Sequence, residues 1–190
     1  MPKIVDHDAH RRGIVEKATP VFSKHGYSGL GMRQIAKELG MSKSALYHYF
    51  PSKELLFESC TKFVVDRDAG LVSENLQAET PQQKVSALMQ VFKEVEKDFQ
   101  GEAFLLLDYM RDMSHRDVAR DKNMKLANKR YLEMTAEIVG KEAASKTLAF
   151  VLGALMQRLL NGRTTSLETV ELWMQEIVAD IVLKAETSHD

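Results

Sequence analysis

The chain has 190 residues, 44% of them apolar, which is enough length and apolar content for a packed core and too much for a disordered chain. Its net charge of −1 is unevenly divided: residues 1–65 hold ten Lys/Arg and six Asp/Glu, the remainder sixteen and twenty-one, so a +4 N-terminal third is joined to a −5 remainder, as suits a protein that touches phosphates with one end only. No apolar run approaches the ~20 residues that span a bilayer, the N-terminal MPKIVDHDAHRR has no signal-like apolar region, and Cys60 stands alone, so a cytoplasmic, non-membrane protein without internal disulfides is expected.

In chain order, Ile14, Ala18, Val21 and Phe22 fall on one face of a predicted helix from Asp8 to about Lys24, with Asp8 as its cap and a kink at Pro20. Gly26 ends it as a left-handed cap and Tyr27 folds back. Met32–Pro51, MRQIAKELGMSKSALYHYFP, holds two short helical patterns on either side of Gly40: Ile35, Ala36 and Leu39 line the first, Leu46 and Tyr49 the second, which begins at Ser42. That spacing predicts a helix-turn-helix, with the second helix offered to the DNA major groove. Ser52 caps a long connecting helix that runs to about Leu76.

Thr80-Pro81 opens a helix carrying Val85, Leu88, Met89, Phe92 and Val95, which Gly101 is expected to break. A short apolar segment follows over 104–113, then a helix over 118–139 ended by Gly140, then 143–160 capped by Asn161-Gly162, then 166–184. No period-two strand pattern survives, so the fold class is all-α with about nine helices. The division is an N-terminal head over 1–51 and a C-terminal ligand-binding and dimerisation region over 52–190, with the connecting helix 52–76 at its start. The last two helices each carry an apolar face wider than the ~100° stripe one core contact needs, so either both are deeply buried or one side meets a second copy.

GYSGLGMRQIAKELGMSKSALYHYFPSKELL closely resembles the TetR family of one-component bacterial regulators. The resemblance covers about residues 10–60 and rests on Phe22, Gly26-Tyr27, Ile35-Ala36, Gly40, Leu46-Tyr47, Tyr49-Phe50, and Lys53 with Leu56. It implies a homodimer, a double-stranded operator as partner, and a small effector, largely apolar, bound by the C-terminal helices; the wide apolar faces of the last two helices make that hairpin the expected pairing surface. Carried over by position, it implies that Arg33 reaches a base or phosphate, and that Ser42, Lys43, Ser44 and Ala45 form the exposed start of the recognition helix. Tyr47, His48 and Lys53 match phosphate contacts, and Tyr49 either touches the backbone or packs inward. Gly31 departs from the Ser or Thr usual at that cap, leaving any hydroxyl contact there in doubt. Repression is the family's usual sign.

Candidate residues for an effector pocket are Met89, Phe92, Phe104, Asp108, Tyr109, Tyr131, Met134 and Met156; all but Asp108 also suit a plain core, and Asp108 can pair with Arg111 instead. No cofactor is expected. His7 and His10 with Asp6 and Asp8, or Asp112, His115 and Asp117, offer metal-ligating atoms, but a solvated arm and a turn account for them. Two other functions remain on the sequence alone: a nucleoid or division factor of the same fold without an effector, and a helical enzyme built on His115, for which no catalytic constellation is in place.

Overall fold

A computed structural model describes residues 7–73 and 78–187. Among them the chain forms nine helices and no strand: α1 (His7–His25), α2 (Met32–Glu38), α3 (Lys43–Tyr49), α4 (Lys53–Ser73), α5 (Pro81–Met110), α6 (His115–Arg120), α7 (Lys122–Val139), α8 (Lys141–Leu160) and α9 (Leu167–Thr187). The expected end of the connecting helix at Leu76, and Asp6, lie outside the described residues.

The helix count matches the expectation through two differences that offset each other. Gly101 does not break α5, which continues to Met110. A Cβ at Gly101 would lie 3.2 Å from the Ser23 Cβ of α1, so the glycine serves a close approach between helices, and packing overrides its intrinsic cost of about 1 kcal/mol. The stretch 118–139, in turn, is not one helix. Asp121 leaves it in extended conformation (φ −62°, ψ 134°), its Oδ1 accepting the Met124 amide at 2.9 Å and so capping α7. The short α6 before it is held by a reciprocal capping box between Ser114 and Asp117.

α1 starts at His7, so Asp8 lies in its first turn instead of capping it. The helix runs unbroken through exposed Pro20; the amide that proline lacks would have served the carbonyl of Glu16, which is itself exposed and open to water.

The chain packs into two compact units, Met1–Val65 with Gly101–Ala127, and Asp66–Gln100 with Asn128–Asp190. The core of the first gathers Ile14, Val15, Ala18 and Phe22 of α1, Ile35 and Ala36 of α2, Leu46 of α3, Phe50, and Leu56, Phe57 and Cys60 of α4. Phe22, Ile35, Leu46, Phe50 and Leu56 are all fully buried. Burial pushes the Cys60 thiol up to about 12, so it is an inert core residue at neutral pH. The second core joins Val85, Leu88, Met89 and Phe92 of α5 to Met134 and Ile138 of α7, Leu155 of α8, and Val170, Met174 and Val178 of α9. The three α9 residues recur every fourth position, as one buried helix face requires.

Candidate nucleic-acid interface

The turn between α2 and α3 is a Schellman motif. Gly40 adopts φ +66°, its amide donates to the Lys37 carbonyl at 3.1 Å, and the Met41 amide reaches back to Ala36 at 3.0 Å. This pairing uses up the last carbonyls of α2 and reverses the chain within two residues. Ser42 then opens α3, its Oγ accepting the Ala45 amide at 3.1 Å. With Leu46 buried and Ala36 facing it in the same core, α3 is seated on α2 and its other faces are left to solvent.

The expected contact residues are arrayed on that solvent side. Ser42, Lys43, Ser44, Tyr47 and His48 are exposed, Ala45 and Tyr49 half-buried. The Ser44 hydroxyl pairs with Ser42 Oγ at 3.1 Å, leaving Ser42 committed to the helix start. The Lys43 ammonium lies 5.4 Å from the Tyr47 ring centre, and α3 carries no carboxylate. Arg33 is exposed in the first turn of α2. Lys53 is placed differently: half-buried, its ammonium donates to the Tyr27 carbonyl at 3.0 Å and sits 4.1 Å from the Tyr27 ring centre. It is therefore a packing residue of the head as well as a candidate phosphate donor, with two N–H groups to spare.

Gly31 caps α2 with its backbone alone. Its φ of −103° suits any residue, and nothing stands within 4 Å of where a Cβ would go. Gly31→Ser is thus expected to raise stability by a few tenths of a kcal/mol, read as a rise of about 1 °C in melting temperature by calorimetry. An unchanged or lower melting temperature would contradict the cap geometry.

Sequence reasoning missed Arg11. Its Nη1 donates to the Tyr49 carbonyl at 2.9 Å, the last carbonyl of α3, and its guanidinium lies 4.3 Å from the Phe50 ring centre. One cation both caps α3 and ties α1 to its far end. Only the basic run His10-Arg11-Arg12 hinted at this.

The same unit holds a second polar junction. Asp108 Oδ2 accepts the Ser28 amide at 2.7 Å, and Asp108 Oδ1 pairs with Arg111. The Ser28 amide above all holds the Asp108 carboxyl below its ordinary range. Tyr109 packs edge-on against Tyr27 with ring centres 4.9 Å apart, and its hydroxyl donates to Asp121 at 2.8 Å. Burial, then the Glu54 carboxylate bonded to it at 3.2 Å, pushes the Tyr27 phenol well above its usual range.

The eight pocket candidates divide between the two units. Met89, Phe92 and Met134 are buried core residues of the second unit, where Met156 is half-buried and Tyr131 donates its hydroxyl to the fully buried Asp68 at 2.8 Å. Phe104, Asp108 and Tyr109 belong to the first unit, with Phe104 58% exposed. An open groove of about 590 Å³ along α7 and α8 is lined by Leu132, Glu133, Ala136, Glu137, Lys141, Ala144 and Ser145, and includes none of the eight. Among the described residues no three His, Cys, Asp or Glu converge as a metal site, His115 is an exposed first residue of α6, and no helix is long and apolar enough to cross a membrane.

Residues 14–60 match the profile of "Bacterial regulatory proteins, tetR family". The HTH-type transcriptional regulator PksA of Bacillus subtilis is 39% identical over 67 residues, 35% of this chain and 33% of that protein. BetI, an HTH-type transcriptional regulator of Agrobacterium fabrum, is 34% identical over 92 residues, 48% of this chain and 45% of that protein. The matched part of the chain thus spans less than half the length of these curated relatives. The crystal structure of the transcriptional regulator FadR from Bacillus subtilis, in complex with stearoyl-CoA, superposes over 87% of this chain and 95% of that one with a TM-score of 0.68 at 16% identity, a likeness of fold. With its Gly40 turn, its solvent-facing α3 and the profile match across both, the N-terminal part of the chain is similar to the DNA-binding head of the TetR family of bacterial regulatory proteins.

Proposed function

We infer that this chain is a sequence-specific DNA-binding transcriptional regulator, a homodimeric repressor that a small-molecule ligand releases from its operator. The observation that supports it most is the exposed, carboxylate-free face of α3, with Lys43, Tyr47 and His48 presented on a helix seated firmly on α2. A Lys reaching guanine O6/N7 and the Ala45 methyl meeting a thymine methyl would read sequence, while Tyr47, His48, Lys53 and Arg33 hold the backbone. The relatives matched over this region are transcriptional regulators by name, which supports a non-catalytic role.

Pairing through α8 and α9 is supported by what those helices leave uncovered. Leu152 and Leu160 on α8 and Leu172 on α9 are 47%, 79% and 57% exposed, although the opposite sides of both helices are buried. A two-fold interface on this hairpin would set the spacing of two recognition helices near one DNA turn, about 34–36 Å. A ligand that binds a wider-spaced state more tightly would then empty the operator. The ligand is read as largely apolar from the Met89, Phe92, Met134 and Met156 surroundings, and FadR, similar in fold, was solved with stearoyl-CoA. The site of action is the cytoplasm.

Selection of bound fragments from bacterial genomic DNA supplies the operator, and two variants then test the roles. Lys43→Ala should change which fragments rank first. Lys53→Ala should weaken all fragments alike and reduce the salt slope by about one, with a small loss of stability from Tyr27. Equal losses on every fragment for both variants would sink the assignment. Sedimentation of the wild type as a monomer at micromolar concentration would remove the dimer.

A further inference from the structure

Two histidines of α1 stand beside the recognition helix. His7 and His10 lie one turn apart and are both exposed, as is His48 of α3. The His10 ring centre is 5.0 Å from that of Tyr49, the His7 centre 6.1 Å from Tyr49 and 6.2 Å from His48, and His48 meets Tyr49 edge-on at 5.0 Å. The Tyr49 hydroxyl is 3.5 Å from His7 Nδ1. Three imidazoles from two helices therefore surround one tyrosine, and Arg11 locks the arrangement by its bond to the Tyr49 carbonyl. Burial does not explain the grouping, since all three histidines face water.

We propose that His7, His10 and His48 form an accessory phosphate-binding site whose strength is set by protonation, extending the DNA-contact surface from α3 onto α1. The proposal rests on the DNA-binding reading above. Imidazole is the side chain that ordinarily changes charge between pH 5 and 8, and a phosphate backbone placed against the cluster favours its cationic form. The charge around the cluster does not oppose this. α1 supplies Arg11 and Arg12 against Asp8, α3 supplies Lys43 and no carboxylate, and α2 supplies Arg33 and Lys37 against Glu38. α4 opens with Lys53 and Glu54, both bonded to Tyr27.

Because the DNA-bound state holds the extra protons, affinity rises as pH falls through this window. Each imidazolium that meets a phosphate releases about one counterion, so the salt slope steepens by about 0.9 per contact, and each contact is worth about fivefold in affinity near 0.15 M salt.

The test uses the full chain and a fluorescein-labelled random-sequence duplex, titrated with potassium chloride at two pH values about two units apart across the imidazole range. Anisotropy should show a steeper slope and tighter binding at the lower pH. His7→Gln/His10→Gln should lose most of that steepening, His48 remaining, with a deficit against wild type that grows as pH falls, while melting at the wild-type temperature. His115→Gln on exposed α6 should keep it. Binding whose slope is the same at both pH values, or the same in wild type and the double variant, overturns the proposal alone. Absence of salt-dependent binding at either pH overturns the DNA-binding reading, and the accessory site with it.

Discussion

Arg158→Ala is expected to lower the melting temperature by about 10 °C, corresponding to a loss of about 3–5 kcal/mol. Arg158 is 5% exposed near the end of α8, a burial that cations tolerate only when fully paired. Its Nε and Nη2 hold both oxygens of Glu96 on α5, at 2.6 and 3.2 Å, and its Nη1 donates to the Thr165 carbonyl in the turn before α9. The backbone completes the joint, since the Arg158 carbonyl accepts the Arg163 amide at 2.7 Å and Arg163 adopts a left-handed φ of 63°. Truncation leaves the Glu96 carboxylate desolvated and unpaired, together with an orphaned carbonyl. The cost is that of stranding these groups, not the net worth of the pair. Replacing both, as Arg158→Met with Glu96→Leu, should therefore recover most of the loss. Thermal melts of the single and double variants decide the matter, and a single variant that melts within about 2 °C of wild type would rule out a critical joint.

Gly26→Ala is expected to cost about 2–3 kcal/mol, from two separable sources. Gly26 ends α1 at φ +76°, where a side chain is strained by roughly 1–2 kcal/mol whatever the space. Its Cβ would also lie 2.9 Å from Asp108 Oδ2, the oxygen that accepts the Ser28 amide. Asp108→Ala should remove the second source and leave the first, so the double variant should be less destabilised than the sum of the singles. The pH sign follows from the direction of the Asp108 shift. A carboxyl held below its ordinary range contributes stability above about pH 4, and that contribution fades as pH falls through its folded-state value. Urea unfolding at neutral and acidic pH checks it, since the stability gap between wild type and Asp108→Ala should close on acidification.

The helix-turn-helix was legible because its determinants are local. A Gly between two short apolar patterns, a Ser cap and a buried Leu46 fix α2 and α3 within twenty residues, and the same residues carry the resemblance to the TetR family. Most of the longer helices were legible for the same reason, since a 3.6-residue period needs no knowledge of partners, whereas the short α6 over His115–Arg120 was read as a turn. Boundaries failed where a distant partner decided them. Gly101 reads as a break until Ser23 of α1 occupies the space its missing side chain leaves. Asp121 reads as one more polar position until its carboxylate caps α7 and takes the Tyr109 hydroxyl.

By itself, then, the chain's order determined an all-α fold and the helix-turn-helix motif with the residues that open its second helix, because each depends on neighbours a few positions apart. Only the tertiary structure decided the rest. It seats Arg11, His7 and His10 against the end of α3, gives Lys53 to Tyr27 and Asp108 to Ser28, and sets Arg158 on Glu96 across 62 residues. A charged or imidazole side chain carries no periodic signal of its partner. Where its atoms end depends on which helices pack together, and that is settled by the summed burial of two cores and not by any local pattern.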